Sequence, residues 1–171
     1  MEFYEVIKKR KSVRKYKSDP IPQDVLDRIL EAGRIAPSAK NIQPWRFIVV
    51  KDPAIKKKIG EASRGQTWIA DADVILVGCA LEKIAWGRMG GYMSSFAVDL
   101  AIAMDHIILA AANEGLGTCW IGAFVEKEVK EILNVPDDVK VVALTPIGYP
   151  AEEPKDRGRK SIEEIVSYDK Y

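Results

Sequence analysis

The sequence predicts an α+β fold: a small mixed sheet with helices around it and one long central helix. Three observations carry this. Short strand-like runs, Phe47-Ile48-Val49-Val50 and Val74-Ile75-Leu76-Val77, alternate with stretches of helical period. Residues 94–113 are apolar nearly all round and too long for a strand. Neither a repeat nor a linker divides the 171 residues, so 1–171 reads as one domain.

In chain order, Phe3, Val6 and Ile7 have helical spacing, which predicts a short amphipathic helix over 2–9. Extended chain follows through Tyr16, then a turn at Pro20 and Pro22. Val25, Leu26, Ile29, Leu30 and Gly33 form one stripe of a second helix, and Pro37 marks its end. Residues 46–51 read as a strand. Asp52-Pro53 then caps a third helix running to about Ala62, with proline at its first position. Residues 73–79 are apolar on both faces, as a central strand is.

The stretch 81–93 has no clean period and holds Trp86, Gly87, Gly90, Gly91 and Tyr92, so it reads as an excursion beside a binding site. Trp86 and Tyr92 are its candidate pocket walls. The long helix over 94–113 needs cover on most sides, more than a chain this size supplies, and so points to a subunit interface. Gly115 and Gly117 end it. A third strand is expected over 118–124, a short helix over 126–133 before Pro136, and a fourth strand over 140–147.

Hydrophobic residues at 47% and charged residues at 30% exclude a disordered chain. A net charge of +1 gives no overall case for nucleic acid or an anionic membrane. Two cysteines, Cys79 and Cys119, sit in apolar stretches and read as buried thiols in a reducing cytoplasm. The apolar run 97–112 is broken by Asp99, Asp105 and His106 and is shorter than the roughly 20 residues of a membrane span. His106 reads as a satisfied core or interface residue.

Charge is nevertheless uneven, with an excess over 8–17. On extended backbone, side chains two apart point the same way, so Arg10, Ser12 and Arg14 converge. Two guanidinium forks and a hydroxyl suit the oxygen pairs of a phosphate. Lys11 and Lys15 then point the other way, to solvent. Residues 36–45 (Ala-Pro-Ser-Ala-Lys-Asn-Ile-Gln-Pro-Trp) make a polar elbow between helix and strand. Ser38, Asn41 and Gln43 could line a polar ring or satisfy backbone groups in the turn. Gly115-Leu116-Gly117 lacks the third glycine of a dinucleotide fingerprint and precedes a strand.

Arg-Lys-Ser-Val-Arg-Lys-Tyr at 10–16, Ala-Pro-Ser-Ala-Lys-Asn-Ile-Gln-Pro-Trp-Arg-Phe at 36–47 and Gly-Leu-Gly-Thr-Cys-Trp-Ile-Gly at 115–122 resemble, in order and spacing, the nitroreductase family of flavoproteins. The similarity runs from Tyr4 to Arg159. It implies a mainly antiparallel sheet in an intertwined homodimer, with tightly bound FMN at the subunit interface. It implies NADH or NADPH as transient reductant and a small-molecule electron acceptor such as a nitroaromatic or quinone, taken in alternation. The segment Arg10-Lys11-Ser12 with Arg14, and Arg157 or Arg159, would hold the phosphate. Pro37, Ser38, Ala39 and Asn41 would come from the partner subunit to line the ring, and Gln66 would meet its pyrimidine edge. Ile121 and Gly122 resemble the turn whose backbone N–H faces flavin N5, and the resemblance places Trp120 beside them among the cofactor-binding residues; Trp120 by itself reads as a packing residue.

Larger members carry a longer middle insertion and often Glu where Ile121 stands. No catalytic side chain or metal site is expected, because the flavin does the chemistry. The alternatives are a specialised member (a reductive dehalogenase or a flavin-fragmenting enzyme) or a flavin-binding protein without turnover.

Overall fold

The computed structural model describes residues 2–171. Five helices and four strands follow in the order α1 Phe3–Lys9, α2 Gln23–Arg34, β1 Trp45–Val50, α3 Pro53–Ala62, β2 Val74–Ala80, α4 Phe96–Asn113, β3 Gly117–Thr118, α5 Glu126–Leu133 and β4 Lys140–Gly148. The sheet order is β1-β2-β4-β3, and all three strand pairs are antiparallel. Among the described residues, parallel pairing enters only as an isolated bridge from Ser12 to Thr118.

β2 is buried along its whole length, as expected of a central strand. Its side chains alternate between two helix layers. Val74 and Leu76 join Leu26, Ile29, Ile107 and Ala111 under α2 and α4. Ile75, Val77 and Cys79 join Ile59 and Val129 under α3 and α5. α4 lies so close to the sheet that a Cβ on Gly78 would fall 2.5 Å from Met104 Sδ. The Asp52 cap forms as expected, its Oδ1 accepting from Ile55 N at 2.9 Å.

α4 buries Asp99, Leu100, Ala103, Met104, Ile107, Ile108 and Ala111. By length and composition alone it could cross a bilayer, which the shorter apolar run did not suggest; here that face packs into the core. Val98 stays exposed on its outer face.

The expected third strand over 118–124 is cut to Gly117–Thr118, and Ile121 rejoins Leu144 only as an isolated bridge. The register explains the gap. Gly117 pairs with Gly148 and Thr118 with Ile147, so the next hydrogen-bonded position sets Cys119 against Pro146. Proline has no N–H to give, and the ladder breaks there. The excursion over 81–93 is a set of turns, with Gly90 and Gly91 at positive φ and one bridge from Met89 to Met93.

Candidate functional site

The N-terminal extended segment lies on β3. Val13 N donates to Thr118 O at 2.9 Å, and Val13 is buried so tightly that a Cβ on Gly117 would sit 2.6 Å from it. Glycine at 117 is therefore what lets this strand approach. The Tyr16 hydroxyl donates to Val13 O at 2.8 Å, and burial holds its pKa far above the ordinary phenol value.

The chain beyond β4 runs back along the same segment. Lys17 N donates to Tyr149 O at 2.9 Å and Ala151 N to Lys15 O at 3.0 Å. This pairing carries the tail cations to the N-terminal ones. Arg10, Lys11, Ser12, Arg14, Lys155, Asp156, Arg157 and Arg159 line one hollow of about 70 Å³. Six cations share it with one acid.

Lys11 and Lys15 are not merely solvated, as the alternation of the strand suggested. Lys15 Nζ donates to Glu152 at 2.8 Å, and Lys11 Nζ stands 3.7 Å from Asp156, so both tie the tail down. Asp156 is held below its usual range by the Gly158 N–H and then by the Lys11 charge. Arg159 Nη1 donates to Gly158 O at 2.6 Å, whereas Arg157 also lines the adjoining hollow of about 180 Å³ with Ser12 and Arg14. Lys155 escaped the sequence reading, although Lys155, Arg157 and Arg159 repeat the every-second-residue spacing of Arg10, Ser12 and Arg14.

A second group is the turn after Cys119. Ile121 exchanges both backbone bonds with Leu144, at 2.9 and 3.0 Å. Its N–H is therefore spent inside the protein, which corrects the expectation that either Ile121 or Gly122 offers the donor. Gln66 Nε2 donates to Ala123 O at 3.1 Å and to Ser63 O at 3.0 Å, and Val125 N donates to Ala62 O at 2.8 Å. Pinned on both sides, the turn presents Gly122 exposed, its N–H without a partner among the described residues. Trp120 is 43% exposed beside it within one protomer.

The elbow is the third group. Lys40, Asn41 and Gln43 all have φ between 53° and 57°, in the left-handed region. Three such residues in four cost of order 1 kcal/mol each, so the surroundings must hold them. Ser38 Oγ accepts from Gln43 N at 2.8 Å, and Gln43 Nε2 donates to Asn41 O at 2.9 Å. Ser38 and Gln43 thus do serve the turn. Pro37 and Asn41 remain exposed, Ala39 is half-buried, and the Asn41 amide nitrogen is left open among the described residues. Lys40 Nζ lies 5.7 Å from the Trp86 ring, bringing the excursion to the elbow. Tyr92 is 83% exposed within one protomer. Within one protomer the elbow does not line the cation hollow. His106 is half-buried on α4.

The fold and the family are recognised independently. The profile described as Nitroreductase family matches residues 7–80 and 64–149. The chain is 35% identical over 185 residues to the FMN reductase [NAD(P)H] of Bacillus subtilis, covering 98% of this chain and 74% of that one. Among solved structures, a nitroreductase family protein from Clostridium novyi NT superposes with TM-score 0.83 at 41% identity, covering 91% and 90% of the two chains. An FMN-dependent nitroreductase from Clostridium difficile R20291 superposes with TM-score 0.85 at 29% identity, covering 97% and 98%. Iodotyrosine deiodinases are more distant relatives, that of Nematostella vectensis being 25% identical over 202 residues.

Proposed function

The chain belongs to the nitroreductase family, and from that premise we propose how its residues serve an FMN-dependent NAD(P)H oxidoreductase. The observation that carries the site assignment is the hollow where six cations face one acid. Like charges so gathered repel one another, and a dianionic phosphate relieves that repulsion. Arg10, Ser12, Arg14 and Arg157 would hold the phosphate; Lys155 and Arg159 would add field.

FMN, when bound, supplies hydride acceptance from NAD(P)H and hydride donation to an acceptor such as a quinone or nitroaromatic. The protein's part is orientation and charge. Gly122 N–H would donate toward the reacting edge of the ring. Gln66 spends one amide hydrogen on Ala123 O of that turn and the other on Ser63 O, leaving its Oε1 as the acceptor for a ring N–H. Donors and cations around a ring that gains negative charge favour its reduced state. No side chain needs to exchange a proton with substrate in this arrangement.

We further propose a homodimer in which the elbow reaches the partner's site, with Pro37, Ser38, Ala39 and Asn41 against the ring and Trp86 toward the acceptor. Exposed Phe3, Tyr4 and Ile7 on α1, Val98 on α4 and Ile162, Ile165 and Val166 in the tail supply apolar surface for such a contact. On this account 1–171 is a single FMN-binding domain, and the two buried free cysteines suit a cytoplasmic setting.

The test is direct. Purified protein should be yellow, should bleach with NADH or NADPH without oxygen, and should regain colour on adding a quinone. A colourless protein that cannot be reconstituted with FMN refutes the assignment. A dehalogenating activity is the second reading, favoured by the deiodinase relatives. It needs substrate-gripping charges in the excursion, where Lys83 is already paired with Asp138 at 3.1 Å. Halide release from an iodophenol under NADPH would establish it.

A further inference from the structure

Asp99 lies near the start of α4 and is 3% exposed, yet no part of the cofactor account uses it. Its two oxygens serve two different loops. Oδ1 accepts the Ala39 backbone N–H of the elbow at 2.9 Å. Oδ2 accepts the hydroxyl proton of the fully buried Ser95 at 2.6 Å, and Ser95 N donates to the Trp86 carbonyl at 2.8 Å. The carboxylate also sits in the first turns of α4, where the helix dipole favours negative charge.

We propose that Asp99 is a positioning residue that locks the ring-lining elbow and the Trp86 end of the excursion into one unit. This rests on the assignment of the elbow to the flavin. The physical need is clear in the elbow itself. Its left-handed run at Lys40, Asn41 and Gln43 is tied internally by Ser38 and Gln43 and by the Ile42 N–H to Ala39 O at 3.2 Å. Ala39, which precedes that run, is fastened from outside by Asp99 alone among the described residues. The same group steadies, through its hydroxyl, the Ser95 whose backbone N–H holds the carbonyl of Trp86, the residue whose ring carries Lys40 on its face. The wall against the ring and the wall toward the acceptor therefore share one buried anchor. A buried charge bonded at both oxygens is costly to disturb at either end.

Three variants separate this from simple stability. Asp99→Ala removes the Ala39 bond and the hydroxyl bond that steadies Ser95, and is expected to weaken FMN binding about tenfold and to raise KM for menadione as well. Ser95→Ala keeps the Ala39 contact and the backbone bond to the Trp86 carbonyl and removes only the hydroxyl that couples Asp99 to residue 95, so it should leave the FMN Kd unchanged and raise KM for menadione, though less than Asp99→Ala does. Asp99→Asn keeps an oxygen for Ala39 N–H, and its amide can donate to a reoriented Ser95 hydroxyl, so it should restore FMN affinity to within about threefold of wild type. FMN Kd is read by flavin fluorescence titration, and thermal melting follows folding. Loss of stability alone would lower Tm in each variant without splitting Kd from KM. Should Asp99→Ala not fold, the Ser95→Ala and Asp99→Asn pair still shows or lacks the split. Variants that bind FMN and menadione as wild type does overturn the role of Asp99 and leave the cofactor assignment standing. A wild-type protein that takes up no FMN overturns both.

Discussion

Replacing Arg14 by alanine isolates the phosphate contact from everything else in the site. Arg14 is exposed, and its only side-chain bond among the described residues is a long one, Nη1 to Ser12 O at 3.4 Å, so its loss leaves the fold nearly untouched. A charge-assisted bond to phosphate contributes about 1.5–3 kcal/mol, and exposure puts Arg14 at the low end. Near 1.5 kcal/mol the FMN Kd should rise about tenfold. Riboflavin carries the same ring without the phosphate. Its affinity should change less than about twofold, so the preference for FMN over riboflavin shrinks by nearly the full factor. Titrating flavin fluorescence with wild type and Arg14→Ala, with both ligands, gives the four constants needed. Equal weakening of FMN and riboflavin, or no change in either, would refute the phosphate assignment.

Three further expectations concern the scaffold. Gly117→Ala forces a methyl to 2.6 Å from Val13 and should cost about 1–3 kcal/mol, with a Tm several degrees lower. FMN should bind more weakly too, because the displaced strand carries Arg10, Ser12 and Arg14; adding Val13→Ala should recover part of both losses. Asp52→Ala removes the α3 cap and should cost about 1 kcal/mol in denaturant unfolding, with no effect on FMN affinity. Arg28 bonds Glu114 at 3.0 and 3.1 Å and Asp24 at 2.8 Å, holding both carboxyls below their ordinary values. Carboxyls depressed in the folded state stabilise above their unfolded pKa, and that contribution is lost as pH falls below about 4.5. Tm should therefore fall less steeply from pH 5 to 3 in Arg28→Ala than in wild type; parallel curves would remove this pair from acid stability.

The elements were legible because periodicity, caps and prolines agreed. The Asp52-Pro53 start of α3 and the all-apolar β2 needed nothing beyond local sequence. The strand over 118–124 misled because its β-rich composition says nothing of its partner; the break comes from Pro146, 27 positions from Cys119 in the sequence and opposite it in the register. The cation clamp was half legible. Alternation placed Arg10, Ser12 and Arg14 on one side, but only the antiparallel return of 149–151 along 15–17 shows Lys11 and Lys15 to be ties for the tail. The spent N–H of Ile121 was invisible for the same reason, since its partner Leu144 is distant in sequence. Asp99 read as a mere interruption of an apolar run. Its meaning lies in Ala39, 60 residues earlier.

Complementation between two broken chains tests the shared site most directly. One chain carries Arg10→Ala with Arg14→Ala, the other Ser38→Ala with Asn41→Ala, and neither homodimer should retain flavin. If clamp and elbow meet across the interface, a doubly tagged mixed dimer has one site with both parts sound, and should hold one flavin per dimer that bleaches with NADH. A mixed dimer as colourless as its parents would mean that both parts act within one chain, contradicting the account.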